Sequence, residues 1–313
     1  MKTLKMLHQR YKCEDCFFDH KKGIIIFVVG DDDNVLIKQI FYMNFRTLKW
    51  LRSFLIVTNS PEMKYSSRLE TLVALDSSLI VSYRLLPFPR EQWTLITQHH
   101  FSGLEWLDNE RRIVVGDEAS NFQIYEYCSQ KLEKKFSYEP FKGVRPKILE
   151  RSGFQQFFAS HGNCICLYDW SEGTRLKTVY LPTAGGGLLS YLPQTGRLIS
   201  YLKVPLQIQN GKYDHHFYSM DEGSEECRKV YSVMQNEEKI GFLVDPVKEA
   251  LYIEYSSKSV LMDLQKDNVI SEEAPVRGLT RQNLIFLESK NNRAMFFSFG
   301  LEGFRLNLKQ YSS

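Results

Sequence analysis

Phe154-Gln-Gln-Phe-Phe-Ala-Ser-His161-Gly162-Asn163-Cys164-Ile-Cys166-Leu-Tyr168-Asp169-Trp170 is the stretch whose reading decides the fold of this chain. Alternating apolar positions run into a small polar turn at His161, Gly162 and Asn163, then resume, which is the pattern of one β-hairpin. The same pattern precedes it in Arg111 to Tyr127, with Tyr125-Glu126 where this copy has Tyr168-Asp169. It occurs again in Thr71 to Arg84, ending at Tyr83-Arg84, and in Gly23 to Ile40, with Lys38-Gln39 at the matching site. Downstream the matching pairs are Tyr218-Ser219, Met262-Asp263 and Leu306-Asn307.

Successive pairs are separated by 45, 42, 43, 50, 44 and 44 residues, a nearly fixed period. Each copy carries one strand-like segment before the hairpin, such as Gly103 to Leu107, and most have one after it, such as Leu132 to Ser137. Four short strands per repeat of this length is the pattern of a propeller blade. The expected fold is therefore all-β, a seven-bladed β-propeller of four-stranded antiparallel blades forming a single domain. The approximate blades are 10–51, 52–98, 99–138, 139–182, 183–232, 233–276 and 277–313 with 1–9. The last copy lacks an outer strand, so Leu4 to His8 is expected to pair with Phe304 to Leu308 and latch the ring.

On Tyr168-Asp169, and more loosely Tyr125-Glu126 and Met262-Asp263, the chain resembles the WD-repeat propellers, whose third strands end near a Trp-Asp pair. No copy has the Trp-Asp or Gly-His dipeptide itself. The resemblance implies a rigid disc that binds proteins through loops. Of the family's Asp-His-Ser/Thr-Trp network it leaves only Asp117, after His100, in a comparable place.

Composition sets bounds on function. Lys plus Arg number 40 and Asp plus Glu 37, for a net charge of +3, too small to favour a nucleic-acid partner. The charged start lacks the apolar run of a signal peptide, no later run reaches membrane-spanning length, and no Asn begins an Asn-x-Ser/Thr sequon. An intracellular location, cytoplasmic or nuclear, is the expectation. Six Cys are sparse for 313 residues and read as reduced thiols.

Two copies depart from the regular pattern. Ser60 to Arg68 and Pro87 to Arg90 read as loops of the second repeat. Lys203 to Tyr213 supplies the extra length of the fifth, and its Asn210-Gly211 turn signal points to central strands that extend beyond the ordinary blade.

Each chemical motif has a plainer reading. His8, Cys13, Cys16 and His20 are zinc-ligand types, but in a regular strand Cys13 and Cys16 face opposite sides. Cys164 and Cys166 share one face and read as small core residues. Asp31-Asp32-Asp33-Asn34 is too short to wrap calcium and reads as a turn. Gly185 to Gly187 lacks the Lys-Ser/Thr of a phosphate loop and reads as a link between blades. No Gly-x-Ser-x-Gly elbow occurs. In His99-His100 and His215-His216 one member of each pair points outward, and His100 reads as blade-stabilising. Lys131, Lys134, Lys135, Lys142, Arg145 and Lys147 are interleaved with acids and read as a solvated mixed face.

A non-catalytic protein-interaction scaffold within a larger complex is the leading expectation, with no metal and no cofactor. The alternatives are a metal-dependent propeller hydrolase or lactonase using the central channel, and an accessory RNA- or DNA-binding subunit. Partner contacts are expected on loops that follow fourth strands or join second to third strands, at His99, Lys142, Arg145, His161, Tyr213 and Arg281.

Overall fold

In a computed structural model the chain is all-β, and its sheets are four-stranded, antiparallel and wound up-and-down. Residues 1–2, 5–10, 20, 32–33, 45–46, 48, 59–61, 77, 86–89, 98–99, 120, 138–145, 152, 183–186, 207–211, 222, 225, 236–239, 246–248, 255–257, 274–284, 291–292, 301–302 and 311–313 lie outside the described residues. For 3–4, 11–16, 18, 31, 34–36, 49–50, 52, 57, 235, 241, 243, 254, 273 and the strands after 284, only the backbone is described. Two compact units divide the chain, Thr58–Met234 and the split unit Met1–Val57 with Gln235–Ser313.

The contiguous unit holds four sheets. Sheet I is Glu62–Ser66, Thr71–Asp76, Leu79–Arg84 and Arg90–Ile96; sheet II is Phe101–Leu107, Arg112–Asp117, Asn121–Glu126 and Lys131–Ser137. Sheet III is Lys147–Arg151, Gln156–His161, Cys164–Asp169 and Thr174–Tyr180; sheet IV is Gly187–Leu192, Arg197–Pro205, Tyr213–Asp221 and Cys227–Gln235. First strands of successive sheets lie side by side. Sheets therefore stack face to face, and the strands inside the stack lose water on both faces. Thr71 to Leu75, Ile113 to Asp117 and Phe157 to His161 are buried without a break, where simple alternation would have left every second residue wet. Fourth strands are mostly exposed.

In the split unit, Tyr11–Asp19, Ile24–Asp31, Asn34–Asn44 and Lys49–Val57 form one sheet, and Gly241–Asp245, Ala250–Glu254, Ser259–Asp263 and Asn268–Glu273 another. In a third, Ile285–Lys290, Arg293–Gly300 and Gly303–Gln310 are joined by Thr3–Leu4, with Thr3 opposite Arg305 and Leu4 opposite Phe304.

Irregularities recur at fixed places. Fourth strands carry a β-bulge near their start, leaving Leu51, Gln92, Glu133, Leu176 and Ile270 without a direct partner. Bulges and charged residues blunt an open sheet edge against pairing with other chains. The turn between first and second strands ends on a left-handed residue at Gly23, Glu70, Glu110, Gly196 and Glu249. In sheet II that turn holds Asp108, Asn109 and Glu110 all at positive φ. Its neighbours pin it: Glu150 Oε1 accepts from Asp108 N at 2.7 Å, and Glu110 Oε2 accepts from Ser66 Oγ at 2.7 Å and Arg68 N at 3.1 Å.

Three readings from sequence are corrected. Glu62–Ser66, expected within a loop, is the first strand of sheet I, because Lys49–Val57 closes the preceding sheet. The pairs Lys38-Gln39, Tyr218-Ser219 and Leu306-Asn307 are not at strand ends; those strands run on to Asn44, Asp221 and Gln310. The parity argument for Cys13 and Cys16 fails because a bulge intervenes: Cys13 stands opposite Val29 and Cys16 opposite Phe27, register positions of equal parity. His8 and His20 lie outside the described residues. So do Asp32 and Asp33, between the paired Asp31 and Asn34, and Gly185 and Gly186.

Candidate interaction surface

Sheet IV is built differently from its neighbours in the contiguous unit. Its second, third and fourth strands each have nine residues, where the corresponding strands of sheets I to III have six or seven. Pairing continues through Leu202↔His216, Lys203↔His215 and Val204↔Asp214 to Pro205↔Tyr213, beyond which Leu206 N donates to Lys212 O at 3.0 Å. The length comes from the expected segment, Lys203 to Tyr213; Asn210 and Gly211 lie outside the described residues.

Residue alternation places Tyr201, Lys203, Tyr213, His215 and Phe217 on one face of this extension. His215 is fully buried, its ring stacked 6.0 Å from that of Tyr201, and Nδ1 lies 2.7 Å from the Tyr201 hydroxyl. Burial pushes the Tyr201 phenol up to about 12, which keeps it neutral. Lys203 Nζ sits 5.0 Å over the Tyr213 ring, a cation–π contact that covers the half-buried phenol. The other face carries His216, whose Nε2 is 3.2 Å from Asp214 Oδ2. Burial holds His216 below the ordinary imidazole range despite Asp214, and the cation of Lys229 acts in the same direction as burial. The rigid part of the extension is thus an aromatic-imidazole stack, with cations toward its end.

Of the residues expected to contact partners, the structure describes His161 and Tyr213; His99, Lys142, Arg145 and Arg281 lie outside the described residues. Tyr213 opens the third strand of sheet IV, in the extension. His161 ends the second strand of sheet III, but its side chain is turned inward at 1% exposure, 6.0 Å from the Phe122 ring. Burial pulls its imidazole down to about 4, so it is neutral. What that turn shows to solvent is Gly162 and Asn163, not the imidazole.

The remaining candidates are structural. Cys164 and Cys166 are buried in the core with Phe122, Phe157 and Tyr168, their sulfurs 3.9 Å apart. The hydrogen bond between the two thiols lowers Cys166 and raises Cys164. Asp117 is fully buried and accepts from Asn121 N at 2.9 Å, Asn121 Nδ2 at 3.1 Å and Gln123 Nε2 at 2.8 Å, while Tyr125 donates to Gln123 Oε1 at 2.6 Å. The His100 side chain is exposed and its carbonyl accepts from Glu118 N, so the expectation of a stabilising imidazole is corrected. Lys134, read as part of a solvated face, donates from Nζ to Ser171 O at 2.7 Å in the next sheet. Lys177, at the matching place in sheet III, donates to Ser224 O.

A second set of charges lies on the first strands of sheets I to III. Lys64 Nζ is 2.9 Å from Glu105 Oε2. Glu62 and Glu150 are each pushed up to about 7 by burial. Among the described residues no group of three or more His, Cys, Asp or Glu is placed to hold a metal ion. No helix among them is long and apolar enough to cross a membrane.

No family model matches the chain, and no curated protein matches it in sequence. Its fold does match solved structures. One is Kuenenia stuttgartiensis hydrazine synthase, with a TM-score of 0.69 at 8% identity over 95% of each chain. Another is a chain in the crystal structure of the mitotic checkpoint complex, with a TM-score of 0.56 at 12% identity over 77% of this chain and 71% of that one. At such identities the likeness is one of fold. Together with the up-and-down four-stranded sheets, it identifies the architecture as that of a β-propeller.

Proposed function

We propose that the chain is a seven-bladed propeller, closed by the N-terminal strand on the last blade, that works as a non-catalytic protein-interaction scaffold in a larger intracellular complex. The observation that carries this reading is the extension of sheet IV. The second and third strands of sheets I to III have six residues each, and the three additional residues in each of Arg197–Pro205 and Tyr213–Asp221 go into a projection. A scaffold that presents side chains on such projections recognises partners without chemistry of its own. The regular sequence period and the likeness in fold over 95% of the chain support the ring. That one similar chain was solved within the mitotic checkpoint complex is in keeping with a place in an assembly.

The test is co-purification with a tagged chain in two forms, native and with residues 204–214 replaced by a two-residue Asn-Gly turn. The shortened form is expected to keep its melting temperature and lose bound proteins. If it keeps every partner of the native chain, the reading fails.

A further inference from the structure

We infer that Cys164 and Cys166 form a binding site for one soft monovalent metal ion, Cu(I), inside sheet III. Sheets II and III correspond here position by position. In sheet II the second strand ends at Asp117, and the third begins at Asn121 with Gln123 and Tyr125 at alternate places. In sheet III the second strand ends at His161, and the third begins at Cys164 with Cys166 and Tyr168 at alternate places. Alternate residues of a strand share a face, so these side chains point the same way.

The two sets differ in how they settle their polar atoms. In sheet II, Asp117 accepts from Asn121 Nδ2 and Gln123 Nε2, and Tyr125 donates to Gln123 Oε1 at 2.6 Å. The Tyr125 hydroxyl thereby has its acceptor inside the core. In sheet III the Tyr168 hydroxyl is buried and makes no hydrogen bond, although it lies within electrostatic reach of the Cys166 sulfur. A buried hydroxyl left this way is costly, and a neutral thiol is a weak acceptor. A thiolate is a strong one, and metal binding makes it. Thr178 Oγ1, 3.5 Å from the Cys166 sulfur, is a second hydroxyl placed to donate to it. Such outer partners orient metal ligands and hold their charge.

Sulfur spacing selects the kind of bond. The two sulfurs are 3.9 Å apart. A disulfide needs about 2.05 Å, and alternate strand positions keep the two backbones about 6.8 Å apart, at the upper limit for one. Two metal–thiolate bonds of about 2.3 Å, the length in zinc sites, span up to about 4.6 Å. Ligand number then selects the ion. Among the described residues no group of three or more His, Cys, Asp or Glu is placed to hold a metal. Zn(II) takes four ligands, whereas Cu(I) is favoured by soft thiolates and is stable with two. On binding, both thiols release their protons to solvent, two Cu–S bonds form, and the site becomes negative. Arg175, opposite Tyr168 on the outer strand, is a cation within electrostatic reach of both sulfurs. Gly162 and Asn163 lead directly into Cys164, and a Cβ added at Gly162 would meet nothing within 4 Å, so the hairpin end is uncrowded there.

The probe is Cu(I) itself, supplied anaerobically as its bicinchoninate complex to the full chain with Cys13, Cys16, Cys128 and Cys227 changed to Ser. This chain is expected to withdraw one Cu(I) and to melt at a higher temperature once loaded. Adding Cys164→Val or Cys166→Val should abolish the withdrawal. Tyr168→Phe, which removes only the hydroxyl, should weaken binding by about tenfold. In the chain with its other cysteines intact, Cys164→Val should lower the number of ions withdrawn by one, a reading that needs none of the four serines. X-ray absorption at the copper edge on the loaded four-serine chain should show two sulfur ligands, and it needs no valine variant to fold. No withdrawal of copper, equal withdrawal by a folded valine variant, or a copper environment of nitrogen and oxygen alone would each overturn the inference.

Discussion

The Tyr127 hydroxyl, in the turn between the last two strands of sheet II, donates to Gln92 Oε1 in the outer strand of sheet I at 2.7 Å. The Tyr127 hydroxyl oxygen is also 2.6 Å from Ser82 Oγ, and the Tyr127 ring packs 5.2 Å from Trp93 and 5.1 Å from Trp106. One phenol therefore ties two sheets by a buried polar network inside an aromatic box. Tyr127→Phe keeps the ring and leaves Gln92 and Ser82 short of a partner, and should cost about 1–2 kcal/mol. Tyr127→Ala empties the box and should cost about 3–5 kcal/mol. Urea unfolding followed by tryptophan fluorescence checks both, and equal midpoints for native protein and Tyr127→Phe would show that the network contributes nothing.

Asp117 should be more sensitive to substitution than its position at a turn suggests. It accepts hydrogen bonds from both Asn121 and Gln123 with its carboxyl group out of water. Asp117→Ala strands those donors and should destabilise the chain by about 2–3 kcal/mol, measured by thermal or urea unfolding. Asp117→Asn should also destabilise, because its amide nitrogen meets donors.

Gly173 and Gly162 make a paired test of two different costs. Both have positive φ, at 73° and 58°. An added Cβ at Gly173 would lie 2.9 Å from Lys134 Cε and 3.2 Å from Phe136, whereas at Gly162 nothing lies within 4 Å. Gly162→Ala should cost about 1 kcal/mol, the left-handed backbone alone. Gly173→Ala should cost more, because Lys134 is held by its bond to Ser171 and cannot swing freely. Melting temperatures in the reverse order would refute the assignment.

Stability should depend on pH through opposed groups. Glu62 and Glu150 hold protons in the fold up to about 7, against 4.5 in the open chain, so their contribution is present below 4.5 and is lost as pH rises through 7. His161, lowered from 6.5 to about 4, contributes above 6.5, and that contribution is lost as pH falls through 4. Glu62→Gln with Glu150→Gln should remove the decline between pH 4.5 and 7 and expose the histidine effect alone. Melting temperatures at pH 5 and pH 8 read the change; an unaltered difference between them would exclude the two carboxyl groups as its source.

If Thr3–Leu4 latches a closed ring through Arg305 and Phe304, removing residues 1–9 should lower the melting temperature sharply. An unchanged midpoint would refute the latch.

Much of the architecture was legible in the chain because it depends on local pattern. The hairpin around His161-Gly162-Asn163, its near-constant recurrence and the extra length after Lys203 all follow from strand alternation and turn chemistry, which act over a few residues. Cys164 and Cys166 were readable as core for the same reason, being two apart on one strand. What the pattern could not supply was what each strand faces. Glu62–Ser66 reads as a loop because Pro61 and a polar run precede the next hairpin; it is a strand because it pairs with Thr71–Asp76, with Phe101–Leu107 of the next sheet beside it. His161 looked like a turn residue open to partners, and it is buried because sheet II packs over that side of sheet III. The link from Lys134 to Ser171 and that from Tyr127 to Gln92 join residues 37 and 35 positions apart, a separation at which spacing in sequence carries no information about contact. The chain alone determined strands, turns and their period, since these are set by short-range sterics and burial alternation. Only the stacking of sheet on sheet decided which polar side chains became buried links and which stayed exposed.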